Sequence, residues 1–211
     1  MSATETAVDA PEIGLRELKK QMTHAAIAHS AFRLTLEKGI DQVTIEEIAR
    51  DAVVSTRTFS NYYSSKEEAV VSAGWEDRGQ LLAAFAAAVQ EAPPLQALCR
   101  VLSDLFESRT AEQLDHSLQL LELVERHPSL MQAQVARFAS IEADLREAVA
   151  AHTGTDVEAD MYPWLVAAAA MAGLQAALRL WAPSGRGVDH LVELIQEAFN
   201  QVSAGLPVPA R

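Results

Sequence analysis

Between Ser55 and Tyr62 the chain places four side chains capable of directional hydrogen bonding, Thr56, Arg57, Ser60 and Asn61, at spacings that put them on one side of a helix. Short donors and acceptors with one guanidinium suit base edges and phosphates when such a helix lies in a DNA major groove. Catalytic chemistry is poorly served by comparison. The six histidines, at 24, 29, 116, 127, 152 and 190, are scattered. A di-iron carboxylate bundle needs Glu-x-x-His pairs on two helices, and none occurs. There is no His-Glu-x-x-His, no cysteine pair with zinc spacing, no Gly-x-Ser-x-Gly and no phosphate-cradling glycine loop. His116, Glu122 and His127 come nearest to a metal set, but Glu122 and His127 are five residues apart and point to different sides of one helix. No catalytic residue, metal or cofactor is expected.

The polar face has to be held by local structure, and the flanking residues supply it. Thr44 and Glu47 have the spacing of a capping box, in which the hydroxyl accepts from the backbone three residues on and the carboxylate reaches back. Ile45, Ile48, Ala49 and Ala52 then fall on one apolar face. Ser55 is the N-cap candidate for the helix Thr56 to Tyr62, where Phe59 and Tyr63 are one turn apart and can pack onto Ile45 and Ile48. Ser65 with Glu68 reads as a second capping box, opening a third helix. Its Lys66 lies near the positive end of the helix dipole, where an anionic partner such as phosphate would explain a cation.

Two short helices around a tight turn, followed by a lysine, resemble the DNA-binding module of the TetR family of one-component transcriptional repressors. The matching residues are Thr44, Ile48, Ala49, Val54, Ser55, Thr58, Tyr63 and Lys66. The resemblance implies that Thr56, Arg57 and Asn61 face bases, while Thr44, Thr58, Tyr62 and Lys66 hold phosphates of a double-stranded operator. Two positions depart from the pattern. Val53 stands where the family usually has a glycine, and a β-branched residue is costly at positive φ, so this turn must differ locally or carry strain. Ser60 stands where an aromatic phosphate contact is common. The resemblance also implies an all-α fold with a helix-turn-helix domain at 14–65 and a long helix leading into an effector-binding and dimerisation domain at 66–211, while residues 1–13, polar and without periodicity, are expected to be a mobile arm.

Composition is compatible with this. The net charge of −12 is unevenly spread: residues 1 to 75 carry 8 Lys and Arg against 11 Asp and Glu, whereas residues 76 to 211 carry 9 against 18. All four lysines lie in the first 66 residues, where phosphate contacts would be needed. One cysteine, Cys99, excludes an internal disulfide, and MSATETAVDA lacks the basic and apolar regions of a signal peptide, so a cytoplasmic location is expected. The apolar run 163 to 182 is interrupted by Gln175 and Arg179 and reads as a buried helix rather than a membrane span.

Periodicity predicts only helices. The first runs from Leu15 to Lys38 with Leu18, Met22, Ala25, Ala26, Phe32 and Leu36 inside. A long helix is expected from Lys66 to about Gln90, carrying Val71, Trp75, Leu81, Leu82, Phe85 and Val89 and stopped by Pro93 and Pro94. Others are read at 95 to 108, 111 to 126, 128 to 152, 157 to 181 and 188 to 204. The penultimate helix has a bulky stripe, Trp164, Met171, Leu174, Leu178 and Trp181, and a narrower one, Val166, Ala169, Gly173, Ala177 and Leu180. Small residues let helix axes approach closely. The narrow stripe with Leu191, Ile195, Phe199 and Val202 is therefore expected to form an intersubunit four-helix bundle in a homodimer, the alternative being that both stripes are buried within one subunit. Such a dimer would hold two recognition helices about 34 Å apart. Leu102, Phe106, Leu118, Leu121, Phe138, Ile141 and Trp164, with His116 and Glu122 as polar anchors, are the candidate walls of a pocket for a small lipophilic effector. A helical scaffold that docks protein instead of DNA is the competing reading.

Overall fold

The computed structural model describes residues 14–73 and 78–208. The expected arm at 1–13 and Trp75 of the expected long helix lie outside them. Among the described residues the chain forms ten α-helices and no strand: α1 Leu15–Lys38, α2 Ile45–Asp51, α3 Thr56–Tyr62, α4 Lys66–Ser72, α5 Arg78–Ala88, α6 Pro94–Glu107, α7 Ala111–Arg126, α8 Pro128–Thr153, α9 Met161–Trp181 and α10 Val188–Ser203. Their limits follow from local chemistry. Gly39, at φ 82, lets the chain leave α1 while its N–H returns to the Thr35 carbonyl at 2.8 Å. Prolines open α6 and α8, where a missing N–H costs nothing, and Thr110 with Gln113 forms a complete capping box before α7.

Two apolar cores organise the molecule. The head core gathers Ile27, Ala28, Ala31 and Phe32 of α1, Ile48 and Ala49 of α2, Phe59 of α3, Tyr63, and Ala69 to Val71 of α4. It also takes in Leu120, Leu123 and Val124 of α7 and Leu130 of α8. The body core gathers Phe85, Leu98, Leu102, Phe106, Ile141, Leu145, Met171, Leu174, Leu178, Trp181, Leu191, Ile195 and Phe199 from α5, α6, α8, α9 and α10. Helix α4 thus packs as part of the head, and the connection toward α5 comprises two helical segments among the described residues. Arg137 of α8 adds a polar tie between the units, donating through Nη1 to the buried Ser72 hydroxyl at 2.7 Å.

The inner face of α1 is rotated from the one expected. Leu18, Met22 and Leu36 are exposed, and Ile27, Ala28, Ala31 and Leu34 are buried with Phe32. Ala28 and Ala31 put small residues among Ile27, Phe32 and Leu34 on the inner face, and Leu18, Met22 and Leu36 are turned outward. Helix α9 begins at Met161, four residues later than read from the sequence, because Asp156 and Asp160 close a preceding turn: the Asp156 N–H donates to the Asp160 carboxylate at 2.8 Å.

The narrow stripe of α9 is also placed differently from the intersubunit expectation. Val166, Gly173 and Ala177 are buried within the subunit, as are Leu191, Ile195 and Phe199 of α10. A Cβ at Gly173 would sit 3.5 Å from both the Ala198 Cβ and the Phe199 ring, so the close approach offered by the small residues is taken up by α10 of the same chain. Ala169 and Val202 are half-buried, and Leu180 is 63% exposed. The face of α9 left uncovered runs through Leu165, Ala168, Ala172, Ala176 and Leu180. The stretch Met161–Ser184 has the length and apolarity of a membrane span, yet half of its most apolar window is buried against neighbouring helices, which makes it a core helix.

Candidate nucleic-acid interface

The α2–turn–α3 unit is assembled by its caps. The Thr44 hydroxyl accepts from the Glu47 N–H at 3.2 Å, and the Glu47 carboxylate accepts from the Thr44 N–H at 3.1 Å. At the other end of α2 the chain makes a Schellman turn: the Val54 N–H reaches the Ala49 carbonyl at 2.8 Å and the Val53 N–H reaches Arg50 at 3.2 Å. That geometry requires a left-handed residue, and Val53 supplies it at φ 57 with a side chain 90% exposed. The departure from glycine is therefore met by strain, not by a different turn. Ser55 then caps α3, accepting from the Thr58 N–H at 2.9 Å, while the two hydroxyls lie 2.8 Å apart.

Helix α3 is divided cleanly. Phe59 is fully buried and Tyr63 nearly so, its hydroxyl donating to the His24 carbonyl at 3.1 Å. Thr58 and Tyr62 are half-buried, the Tyr62 ring 6.3 Å from that of His24. Thr56, Arg57, Ser60 and Asn61 face solvent together, and Arg57 has no hydrogen bond or ion pair among the described residues. Arg33 and Lys38 are by contrast held by carboxylates, Arg33 by Glu37 and Asp51, Lys38 by Glu47 at 3.0 Å. The Arg33 guanidinium, then the Ser30 hydroxyl, holds the Asp51 carboxyl below its ordinary range; Lys38, then the Thr44 N–H, does the same for Glu47.

Lys66 is also engaged. Its Nζ donates to the carbonyls of Ile40 at 2.7 Å and Val43 at 2.9 Å, which accounts for a cation at this helix start without an anion. The second expected capping box is displaced by one residue. Ser65 accepts from the Glu68 N–H at 3.0 Å, but the Glu68 carboxylate takes the N–H of Ser64 at 2.8 Å together with its hydroxyl.

The nine expected pocket residues lie in different surroundings among the described residues. Leu102, Phe106 and Ile141 are buried in the body core, with Leu118 and Phe138 packed against it. Phe106 and Leu121 share a cavity of about 20 Å³ with Arg109, Ser117, Leu120, Gln134 and Leu178. His116 faces the head instead, its ring 5.6 Å from Phe32 and 6.2 Å from His29. Glu122 stays in water, paired with Arg126 at 2.9 Å, as a carboxylate without a buried cation must. Trp164 is 47% exposed under the Arg146 guanidinium, its indole N–H satisfied by the Val157 carbonyl at 2.8 Å. Sequence reasoning missed Gln134, which is buried although polar. Its signal is the helical register, since Leu130, Phe138 and Ile141 share its face. Among the described residues no group of three or more His, Cys, Asp or Glu is placed to hold a metal ion.

Comparison with known proteins matches both parts of the chain. Residues 27–72 match the family model of bacterial regulatory proteins of the tetR family, and residues 92–207 match that of the MftR C-terminal domain. The HTH-type transcriptional regulator TcmR of Streptomyces glaucescens is 30% identical over 177 residues, 80% of this chain and 76% of that protein. Among solved structures, Thermus thermophilus FadR, a TetR-family transcriptional repressor in complex with lauroyl-CoA, aligns over 89% of this chain and 97% of its own at 21% identity and a TM-score of 0.52. A putative TetR-family regulator from Syntrophomonas wolfei aligns over 90% and 100% at 18% identity and a TM-score of 0.54.

Proposed function

Because the chain belongs to the TetR family of DNA-binding transcriptional regulators, a family without enzymatic activity, we propose that it is a cytoplasmic repressor that binds a palindromic operator as a homodimer and leaves it when a small lipophilic effector enters the body. The observation that carries the reading is the division of α3: Phe59 anchors it in the head, and Thr56, Arg57, Ser60 and Asn61 are exposed together on its other side. Thr56, Arg57 and Asn61 read bases. Thr44, Ser55, Thr58 and Tyr62 hold the phosphate walls, where the capping hydroxyls retain acceptor and donor capacity. Lys66 contributes its remaining N–H and, more importantly, fixes the start of α4.

Symmetric pairing uses the uncovered face of α9, Leu165, Ala168, Ala172, Ala176 and Leu180, a stripe of small residues bounded by leucines. The half-buried Ala169 borders it on α9. Two heads then meet successive turns of one duplex face. Release needs only a modest bias between two arrangements of the body, on the order of 1 to 3 kcal/mol.

Selection of bound fragments from random duplex DNA tests function, symmetry and half-site spacing together. Enrichment of an inverted repeat with half-sites one helical turn apart is expected, and retardation of the selected duplex should weaken with salt by several log units per log unit. Failure to enrich any sequence at low ionic strength would remove the proposal.

A further inference from the structure

The small cavity beside Phe106 holds one unmatched polar atom. Gln134 is 6% exposed, and its Oε1 has no hydrogen-bond donor among the described residues. The other polar lining is engaged: the Ser117 hydroxyl donates to the Gln113 carbonyl at 2.9 Å and accepts from Arg109 Nη1 at 2.8 Å. The Arg109 guanidinium also lies over the Phe106 ring, 4.6 Å from its centre. Leu120, Leu121 and Leu178 complete the walls. A volume of about 20 Å³ admits one water, which would find few of the partners a buried water needs. A buried amide oxygen among apolar walls is matched best by a single O–H or N–H donor carried on an apolar body.

The position of the cavity gives its occupancy a mechanical consequence. The walls come from α6, α7, α8 and α9, with Ser117, Leu120 and Leu121 on the α7 side, so anything larger than water has to widen the gap between these helices. Leu120 is at the same time a member of the head core, as are Leu123 and Val124 on the next turn of α7. On α8, Leu130 lies one turn before Gln134 and is fully buried in the head core. Two of these helices, α7 and α8, therefore carry head-core residues within a turn of the cavity.

We infer that this cavity recognises the polar end of the effector: it selects an uncharged ligand that donates a hydrogen bond to Gln134, and entry of that ligand draws Leu120 from the head core and loosens α4. The inference rests on the effector-release reading and names its ligand class and its transmission.

The test compares 1-naphthol, 1-methoxynaphthalene and 1-naphthoate, three probes of similar apolar area, by equilibrium binding to the full chain without DNA. Naphthol should bind the wild type about tenfold more tightly than the ether, and Gln134→Leu should erase that preference. Hydrogen exchange of the Val70 and Val71 amides should accelerate when naphthol is bound. Equal affinity for naphthol and ether, preference for naphthoate, absence of binding up to the solubility limit, or unchanged head exchange in the bound state would each overturn the inference. The wild-type comparison decides even if the variant does not fold. None of these readouts involves an operator, so loss of the DNA reading would show separately as failure of sequence selection.

Discussion

The Lys66 ammonium donates to the Val43 carbonyl at 2.9 Å, so the helix that follows the recognition helix is tied to the residue that precedes the helix-turn-helix. A second bond to Ile40 at 2.7 Å makes Lys66 a clasp around the whole α2–α3 unit. Lys66→Met should therefore lower the stability of the head by about 1 to 3 kcal/mol, because two half-buried carbonyls lose a charged donor. Denaturant unfolding followed by the fluorescence of the chain would measure it. DNA affinity should fall alike on all sequences. A variant as stable as the wild type but defective on DNA would instead assign Lys66 to phosphate alone.

Val53→Gly should stabilise the protein. The left-handed conformation costs a β-branched residue roughly 1 to 2 kcal/mol, and glycine returns part of that through its greater freedom when unfolded, leaving a gain near 1 kcal/mol. Thermal unfolding would show a raised midpoint. A lowered midpoint would mean that the exposed isopropyl group packs usefully, contrary to its 90% exposure.

Arg57→Ala should relax base preference at one position of each half-site, costing about 1 to 3 kcal/mol on the preferred sequence and much less on its variants. Competition between the selected operator and single-base variants provides the measurement. A loss equal on every sequence would move Arg57 to the phosphates.

Leu165→Glu with Leu180→Glu should leave the fold intact and shift sedimentation toward the monomer, because both side chains lie on the open face of α9. Gly173→Leu should do the reverse and lower the unfolding midpoint, since the space beside Gly173 is filled by Phe199 of the same chain. These two variants separate the interface proposed from the structure from the one expected from the sequence.

Acid should weaken the head through Asp51 and Glu47. Both carboxyls sit below their ordinary range when folded, so each adds stability that is present above its unfolded value and is lost as pH falls through the folded one. The decline should begin below about pH 5 and continue well below pH 4. Asp51→Asn should flatten it, with wild-type and variant melting curves converging at the acid end.

The helix-turn-helix was legible because its determinants are local. Thr44 with Glu47, Ser55 before Thr56, and the apolar pair Phe59 and Tyr63 act over a few residues, and each does in the structure what its spacing predicts. The conflict at Val53 was legible for the same reason, but not whether a different turn or strain would resolve it. The face of α1 was not: with Ala25, Ala26, Ala28 and Ala31 in sequence, an alanine-rich helix fits two rotations, and only the partners α2 and α4 decide between them. Spacing likewise reveals that Gly173 and Ala177 permit close packing but not which chain supplies the neighbour. Gln134 was overlooked because its residue type suggests solvent, while its register places it inside.

The head core does not end with the head's own sequence. Leu120, Leu123, Val124 and Leu130 complete it from the corner between α7 and α8, so a fragment cut after Ser72 would carry an open apolar wound. The recognition module is accordingly not portable as a simple N-terminal cassette. A chimera that grafts it onto another sensor body would have to bring the α7–α8 corner along, or rebuild that surface residue by residue.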